Sequence, residues 1–379
     1  MPAEPQAERL VLFQWGVSSY FGWGVYGLNL MLAWGARRAA GASDFLPVSL
    51  QAIDPAHLDI DPLERNLIGP ALQRSKQVLD GLRQKAGQRV TSTHLVLHTI
   101  NNGMVCGRAA HDVDVQGSPQ VGVAFLDRTD HLPGAAERLR AYPLLVAGSA
   151  WNRDLLLEAG AAWVGLVLQG VDPSHFHPAA RRGLFAGRFV VFSGGKLEYR
   201  KGQDLVVQAF SVFAERHPDA LLLTAWASPW PAEAAWAGLR GIAPHQVIEV
   251  GPVANRAMPR IMREADVALF PNRAEGGTNL VAMECMACGV PTLLSANTGH
   301  LDLLRAGAGI ALSRQAPVPG DAHRGWGDSN VDEIVAALEA VYTDRAAARM
   351  EGARGAVAMA ALSWAGQMDG LAELLQSIL

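Results

Sequence analysis

The sequence predicts an α/β protein with two domains, each built on a parallel sheet. Short apolar runs alternate with helical patterns along most of the chain, and this alternation is typical of βαβ units. The alternation starts again near Phe189, after a stretch at residues 170–178 that contains glycine and proline and has no periodicity. A length of 379 residues also suits two domains of ordinary size better than one core.

The first half contains six apolar runs that we predict to be strands, with helical patterns between them. The clearest helix lies at residues 67–85, where Leu72, Leu79 and Leu82 recur at helical spacing. The predicted strands of this half span residues 10–15, 45–50, 94–100, 121–126, 144–148 and 163–168.

The second half repeats the alternation and becomes purely helical after Val331. Two similar α/β halves imply a cleft between them, and ligands of such sheets bind beyond the carboxyl ends of the strands. The ten tryptophans, which include Trp226, Trp230 and Trp236, have ring faces suited to stacking on sugars, but core burial is expected for most of them. The predicted strands of this half span residues 189–194, 220–226, 247–250, 267–270, 290–294 and 310–312.

An uncharged segment at residues 11–36 needs its own interpretation. A signal peptide is not expected, because residues 1–4 include an acid and no base. A membrane span is not expected either, because Gln14, Asn29 and several glycines interrupt the segment. We therefore predict a strand, a glycine loop and a buried helix over residues 25–37.

The composition is that of a globular protein and excludes several classes of function. Half of the residues are hydrophobic and 18% are charged, which gives no sign of bulk disorder. The 32 basic and 36 acidic residues give a formal net charge of −4 without long basic runs, so a nucleic-acid groove is not expected. Three cysteines are too few for a disulfide framework, which favours a reducing compartment such as the cytoplasm.

The site is predicted to centre on the segment that follows the apolar strand at residues 265–270. A loop with glycines and a hydroxyl, residues 275–279, leads into a helix at residues 280–288. A strand, a glycine loop and a helix N-terminus together favour an anion, and phosphate is the expected guest. Glu275 and Glu284 lie on either side of the loop, and because carboxylates do not bind phosphate they should face hydroxyls of a ribose and a sugar.

A second segment of the same kind lies at residues 192–204. A strand again ends in a glycine pair that includes Gly195, and an amphipathic helix follows. Lys196, Arg200 and Lys201 stand between the strand and the helix, where cations suit a diphosphate. The segment therefore predicts the second half of a nucleoside diphosphate site.

These segments resemble the nucleotide-binding core of retaining glycosyltransferases of the GT-B fold, the group called family 4. That family has two glutamates with seven residues between them, around a helix start of the Gly-Phe-Gly-Leu kind. Here eight residues lie between Glu275 and Glu284, and counting back from Glu284 puts Asn279 and Leu280 at the Gly-Leu positions. The extra residue therefore lies at 276–278, which affects the reach of Glu275 rather than that of Glu284.

The resemblance extends to the other segments. The family pattern Gly-Arg-Leu…Lys-Gly is similar to residues 195–202, with Lys196 where the family has arginine. Residues 170–178 are similar to the Gly-Val-Asp…Phe-x-Pro stretch that joins the family's two domains. The resemblance implies a GT-B architecture of two Rossmann-like parallel-sheet domains facing each other across a cleft. The implied domains are an acceptor domain at 1–178, a donor domain at 179–361 and a C-terminal helix at 362–379 that returns to the first domain.

The resemblance also implies a role for each matching residue. Glu284 would hold the ribose hydroxyls, Glu275 would lie near the donor sugar, and Lys196 and Lys201 would neutralise the leaving nucleoside diphosphate. In members of the family, a glycine loop near the N-terminus of the chain packs under the donor phosphates and the acceptor, and Gly22 and Gly24 match this loop here. The implied donor-binding residues are Gly22, Gly24, Gly195, Arg200, Gly276, Gly277, Thr278, Asn279, Leu280 and Glu284.

Two further catalytic candidates lie at strand ends of the first half. Family members often hold a histidine or an acid after these strands, near the donor sugar or the acceptor hydroxyl. His98 and Asp127 are the matching residues here, and either type of side chain suits the acceptor proton. The alternative is that His98 belongs to the core and that residues 127–130 form a turn, and the sequence leaves both interpretations open.

Three other motifs are typical of different chemistry, but each lacks a feature that this chemistry requires. Residues 22–27 spell GxGxxG, but the strand before them ends too early for a dinucleotide site. Cys285 and Cys288 spell CxxC inside the predicted helix of the nucleotide site, without further zinc ligands nearby. Two DxD strings, at 59–61 and 112–114, do not close convincing strands. We therefore predict no metal site.

The predicted function is transfer of a sugar from a nucleoside diphosphate to an acceptor hydroxyl, with retention of configuration and without an obligatory metal. The acceptor would be a glycan, a lipid or a small molecule, in bacterial glycan or glycoconjugate synthesis. A cytoplasmic protein is expected, with peripheral contact to the inner face of the membrane left open and no nucleic-acid partner. The alternatives are a sugar-nucleotide epimerase of the same architecture, an NAD-dependent oxidoreductase and an inactive sugar-nucleotide binding module.

Overall fold

The structure is a computed structural model, and it describes residues 9–131, 133–228 and 242–379. Trp230 and Trp236 therefore lie outside the described residues. The chain divides into two compact units. Unit 1 comprises the residues up to Leu126, residues 130–167 and the C-terminal segment Trp364–Leu379, and unit 2 comprises residues 127–129 and 168–363.

Unit 1 is built on a six-stranded parallel sheet in the order β2-β1-β4-β6-β7-β8, beside a small parallel pair, β3-β5. The strand order reverses between β1 and β4, which makes their carboxyl ends the switch point of this sheet. Its elements before the chain enters unit 2 are β1 (Arg9–Phe13), α1 (Gly22–Ala39), β2 (Phe45–Ser49), α2 (Pro62–Arg83), β3 (Arg89–Thr91), β4 (Leu95–Ile100), β5 (Asp114–Gln116), β6 (Gln120–Ala124), α3 (Ala135–Leu139), β7 (Leu144–Ala147), α4 (Ala150–Glu158) and β8 (Val164–Leu166).

Unit 2 is built on a second six-stranded parallel sheet, in the order β11-β10-β9-β12-β13-β14. The first strand again lies inside the sheet, so the order reverses between β9 and β12. Its elements are β9 (Phe189–Lys196), α5 (Gln203–Arg216), β10 (Ala220–Ala227), β11 (Val247–Glu249), α6 (Met258–Met262), β12 (Val267–Phe270), α7 (Leu280–Ala287), β13 (Thr292–Ser295), α8 (His300–Arg305), β14 (Ile310–Leu312), β15 (Gln315–Pro317), β16 (Gly327–Ser329), α9 (Val331–Thr343) and α10 (Arg345–Ala360).

The last helix, α11 (Trp364–Gln376), packs within unit 1 against α1. The indole Nε1 of Trp34 donates a hydrogen bond of 3.1 Å to the carbonyl of Met368. The Trp364 ring lies edge-on to the ring of Tyr26, with 5.6 Å between ring centroids. The C-terminal helix thus completes the core of the unit to which the N-terminal strand belongs.

The fold class predicted from the sequence is confirmed: two parallel α/β sheets account for both halves. The helix predicted at 67–85 begins earlier, at Pro62, because Asp61 and Glu64 form a capping box there. The helix predicted at 25–37 also begins earlier, at Gly22. Since β1 ends at Phe13, the GxGxxG residues open α1 itself rather than a tight turn after a strand.

Within the described ranges, no helix combines enough length with enough apolar character for a bilayer span.

Candidate functional site

Both segments singled out in the sequence lie at the switch point of the unit 2 sheet. β9 and β12 are parallel neighbours, with Val267 opposite Val191 and Ala268 opposite Phe192. Their carboxyl ends therefore lie side by side at one edge of the sheet. The 195–202 segment continues from β9, and the 271–280 segment continues from β12. Ligands of open α/β sheets bind at this position.

A tight turn holds the first segment against the second. Tyr199–Lys201 forms one turn of 3₁₀ helix, and Gly202 follows it with a φ of +67°. A Cβ at Gly202 would come within 2.2 Å of the carbonyl oxygen of Pro271, so only glycine fits this approach. The amide of Arg273 donates a 2.7 Å hydrogen bond to the carbonyl of Arg200, which joins the two segments directly.

Arg273 fixes the same turn through its side chain. Arg273 is 3% exposed, and its guanidinium forms a bidentate pair with Asp204, at 2.8 and 2.7 Å. It also donates to the carbonyl of Tyr199 at 2.9 Å and to Asp328 at 2.8 Å. Bidentate arginine pairs are geometrically specific, so this residue determines the position of the 3₁₀ turn that carries Arg200.

Two cations of the turn converge on one buried carboxylate. Glu275 is 4% exposed, and its Oε1 accepts hydrogen bonds from Lys201 and Asn272. Its Oε2 lies 3.1 Å from Nη1 of Arg200. Arg200 also pairs with Glu198 at 2.5 Å and with Asp127 at 3.0 Å. The cluster therefore joins three carboxylates to two cations at the edge of the sheet.

The charges of this cluster stabilise one another. Burial alone would raise the pKa of Glu275, but Lys201 and Arg200 outweigh burial and lower it to about 2. Burial lowers the pKa of Lys201, and the adjacent Glu275 opposes that change. Burial would also lower the pKa of Arg200, yet its carboxylate partners, Glu275 first, raise it. Glu275 is thus held as a carboxylate and Arg200 as a cation.

The second segment turns into α7 through buried polar side chains. Asn279 caps the helix in a left-handed conformation, with a φ of +68°, and its Oδ1 accepts from the amide of Ala282 at 3.4 Å. Its Nδ2 lies 3.1 Å from Nε2 of His300. The amide of Thr278 donates to Oε1 of Gln169 at 3.2 Å. Side chains from inside and outside the loop therefore fix the start of α7.

Glu284 lies on the second turn of α7 and is also buried, at 3% exposure. Its Oε1 accepts a 2.5 Å hydrogen bond from Nδ2 of Asn255. Burial raises the pKa of Glu284 to about 8, and the hydrogen bond from Asn255 only partly offsets this. A buried carboxyl with an amide neighbour is suited to exchange hydrogen bonds with ligand hydroxyl groups.

The raised pKa of Glu284 predicts a pH dependence of stability. Because the unfolded carboxyl titrates near its usual pKa of ~4.3, the folded protein retains a proton between about pH 5 and pH 8 that the unfolded chain has released. The free energy of unfolding should therefore fall as the pH rises through this window and level off above it. Thermal denaturation across the window should show a steeper fall for the wild type than for Glu284→Gln. Equal slopes would contradict the raised pKa.

The remaining candidates of unit 2 lie in the same region. Lys196 ends β9, and its carbonyl accepts a 2.6 Å hydrogen bond from Nε2 of Gln203. Gly195 has a φ of +122°, which a side chain rarely adopts. Asp127 clusters with unit 2, where its carboxylate pairs with Arg200 and its carbonyl accepts from Nε1 of Trp326 at 2.6 Å.

The first-half candidates are placed differently. His98 was expected where a strand ends, but it is the fourth of six residues in β4 and its side chain is fully buried. Burial lowers the pKa of His98 to about 4, and its ring faces Tyr142 with 5.6 Å between centroids. His98 therefore lies inside the strand and belongs to the core, which is the alternative that the sequence left open. Gly22 opens α1, and a Cβ at Gly24 would come within 2.0 Å of Oγ of Ser18.

Four residues of the CxxC and DxD motifs are buried or bonded within the protein. Cys285 and Cys288 are buried free thiols of α7 and its C-terminal end. Asp61 caps α2, and Asp114 accepts a 2.6 Å hydrogen bond from Nε of Arg89. Sequence reasoning missed Arg273, Asn255, Asn272, Gln169 and His300. Of these, only Asn272 and Arg273 carried a signal, because they directly follow the predicted strand and precede the glycine loop.

Solved structures establish the class of the fold. A sucrose-phosphate synthase from Thermosynechococcus elongatus superposes with a TM-score of 0.65 and 17% identity, over 98% of this chain and 99% of that chain. A trehalose-6-phosphate protein from E. coli, bound with UDP-2-fluoro glucose, gives a TM-score of 0.65 at 14% identity, over 98% and 100% of the chains. The fold is that of GT-B glycosyltransferases.

A family model described as "Family 4 Glycosyltransferase in conflict systems" matches residues 155–371, more than half of the chain. The chain belongs to this family of family 4 glycosyltransferases. Mannosylfructose-phosphate synthase from Agrobacterium fabrum is 29% identical over 178 residues, which is 42% of this chain and 39% of the relative. D-inositol 3-phosphate glycosyltransferase from Jonesia denitrificans is 32% identical over 164 residues, 38% of each protein. The chain thus spans about two fifths of the length of these two relatives.

Proposed function

We propose that the protein transfers a sugar from a nucleoside diphosphate sugar to an acceptor hydroxyl, with retention of configuration. The observation that carries the proposal is the buried cluster of Lys201, Arg200 and Glu275 at the same sheet edge as the start of α7. Cations held in place beside a helix N-terminus match the negative charge of a diphosphate. Membership of family 4 supports the same conclusion.

In the proposed donor site, the ribose and the diphosphate of the nucleotide each contact their own set of residues. Glu284 accepts hydrogen bonds from the ribose hydroxyls, while Lys196, Lys201 and Arg200 hold the diphosphate. The amides of Gly277, Asn279 and Leu280 face the β-phosphate, with Gly195, Gly276 and Thr278 lining the approach. Solved structures of HepE from Anabaena contain UDP and, in one case, glucose, which makes a nucleoside diphosphate sugar a reasonable donor class.

In the proposed reaction the bond between the sugar and the β-phosphate breaks as the acceptor oxygen bonds to the anomeric carbon on the same face. The acceptor proton passes to the departing phosphate oxygen, so no protein nucleophile is required. Glu275 lies near the donor sugar and keeps Lys201 and Arg200 aimed at the charge that develops. Such preorganised charge is commonly worth several kcal/mol in the transition state.

The same cations take the part that a divalent metal takes in other transferases, and we propose that no metal is obligatory. Asp127 orients Arg200 through their ion pair. The proposed acceptor is a hydroxyl of a polyol, glycan or lipid. Relatives named for D-inositol 3-phosphate and for phosphatidylinositol monomannoside support this class.

A thermal-shift screen of nucleoside diphosphate sugars tests the proposal. A donor at 100 times its dissociation constant should stabilise the protein by about 2.7 kcal/mol. The stabilisation should persist in EDTA, and adding acceptor candidates should convert the donor with retention, as NMR of the product would show. NAD serves as the control ligand. Stabilisation by NAD and by none of the sugar nucleotides would contradict the proposal.

A further inference from the structure

A small cavity lined by arginines lies in unit 2, away from the residues assigned to the donor. Its volume is about 290 Å³. Two of its walls are residues 263–266, directly before β12, and residues 288–291, directly before β13. The amino ends of these strands form the edge of the sheet opposite to the carboxyl ends that carry the donor segments. We call this space the arginine cavity.

The charge of the arginine cavity is strongly unbalanced. Arg181, Arg263, Arg345 and Arg349 line it, and Asp266 is the single acidic residue of its lining. Four positive charges against one leave a formal excess of three. Like charges gathered in one concave space raise the local concentration of a counter-ion of opposite sign. The cavity is therefore a place where an anion would be attracted.

Two of the guanidinium groups are held in place by Asp266. Nη1 of Arg181 lies 3.1 Å from its Oδ1, and Nη1 of Arg345 lies 3.4 Å from the same oxygen. The other oxygen, Oδ2, accepts a 2.9 Å hydrogen bond from the amide of Val190. Both carboxylate oxygens of Asp266 therefore have partners within the protein.

A third guanidinium is held by main-chain oxygens. Nε and Nη2 of Arg263 donate to the carbonyl of His177 at 3.0 and 2.8 Å, and Nη2 also donates to the carbonyl of His175 at 2.9 Å. Each guanidinium has five N–H groups, so these contacts leave donors unused at rigidly positioned groups. Rigid donors lose little entropy when they bind a ligand.

Arg349 is the fourth group, and it differs from the others. It is exposed on α10, and in the part of the chain that the structure describes no carboxylate forms an ion pair with it. Contacts within the protein therefore explain the positions of the other three arginines, Arg181, Arg263 and Arg345. They do not explain the position of Arg349. Its presence in the lining is what a ligand-binding role predicts.

We propose that the arginine cavity binds the phosphate group of a small phosphorylated molecule. The planar fork of arginine matches phosphate oxygens in pairs, and several such forks suit a dianion. The volume admits a phosphate with a short organic part but not a whole nucleotide sugar, since sites for drug-sized ligands begin at about 300 Å³. Ala265, Val290, Pro291 and Ala348 form an apolar wall for the organic part.

Isothermal titration of the full chain with inorganic phosphate and with glycerol 3-phosphate tests this site, at ionic strength matched with sodium chloride. The wild type should bind at least one probe with saturation. Arg349→Gln should weaken that binding at least about tenfold, the loss of one charge-assisted contact. Arg354→Gln is the matched control, because Arg354 lies on the same helix outside the cavity lining and is exposed.

A third variant, Lys201→Gln, separates the arginine cavity from the donor site. Phosphate binding that survives in Lys201→Gln and is lost in Arg349→Gln supports the proposal, whatever the nucleotide screen finds. Loss in Lys201→Gln alone would assign the phosphate to the donor site and overturn it. Absence of saturable binding in the wild type, or equal weakening in Arg349→Gln and Arg354→Gln, would overturn it as well.

Discussion

Replacement of Lys201 by methionine is expected to lower the turnover number for sugar transfer by roughly several hundredfold, because preorganised charge at a developing anion is commonly worth about 3–4 kcal/mol. Methionine keeps much of the length and volume of the side chain and removes its charge. Since Lys201 is 12% exposed and touches Glu275, the lost charge is one that water cannot readily replace. Steady-state kinetics with the donor found by the thermal-shift screen measures the effect.

The control for this variant is Lys76→Met, which removes an exposed lysine of α2 in unit 1. Its turnover should equal that of the wild type. Glu275 retains Arg200 and Asn272 as partners in Lys201→Met, so the variant should still fold. A folded Lys201→Met protein with less than a tenfold loss of turnover would be incompatible with the proposed role.

Replacement of Glu284 by alanine is expected to weaken donor binding roughly thirtyfold, because two ribose hydroxyls lose hydrogen bonds that contribute about 0.5–1.5 kcal/mol each. The Glu284 side chain is buried on α7 with Asn255 as its neighbour, so water cannot readily take over its hydrogen bonds to the ribose in the variant. Isothermal titration with the donor nucleotide measures the change. Glu215→Ala, an exposed position of α5, is the control for loss of a carboxylate.

A 2′-deoxynucleotide makes the test of Glu284 specific to the ribose. The wild type should bind the deoxy form more weakly than the ribose form. Glu284→Ala should discriminate little between the two, because the acceptor for the 2′-hydroxyl is gone. If Glu284→Ala still prefers the ribose form as strongly as the wild type does, another residue recognises the ribose.

The sheets and the two donor segments were predictable because strong local signals coincide there. Buried parallel strands appear as apolar runs, and the glycines and charges after β9 and β12 stand where these runs end. The start of α2 was recoverable too, since Asp61, Pro62 and Glu64 are a cap signature that outweighs the later apolar spacing. Segment ends carry less signal than segment interiors, which is why the boundaries differ by a few residues.

The partners within the site were not predictable, because tertiary packing brings them from distant parts of the chain. Nothing near Glu284 in sequence points to Asn255, which comes from the segment before α6. The pairing of Lys201 with Glu275 joins residues 74 positions apart. His98 illustrates the reverse case: the strand end at residue 100 was predicted, but the pattern does not reveal that a polar residue inside the strand is fully buried in the core.

The central feature of the proposed site is a pyrophosphate held by Lys201 at one side and by the start of α7 at the other. The most direct measurement is the dissociation constant of the donor's nucleoside diphosphate and nucleoside monophosphate for the wild type and Lys201→Met. Lys201→Met should weaken diphosphate binding at least about tenfold and leave monophosphate binding nearly unchanged, because in the proposed site only the β-phosphate reaches the lysine. Equal affinities of the two proteins for the diphosphate, or equal losses for both nucleotides, would contradict the proposed site.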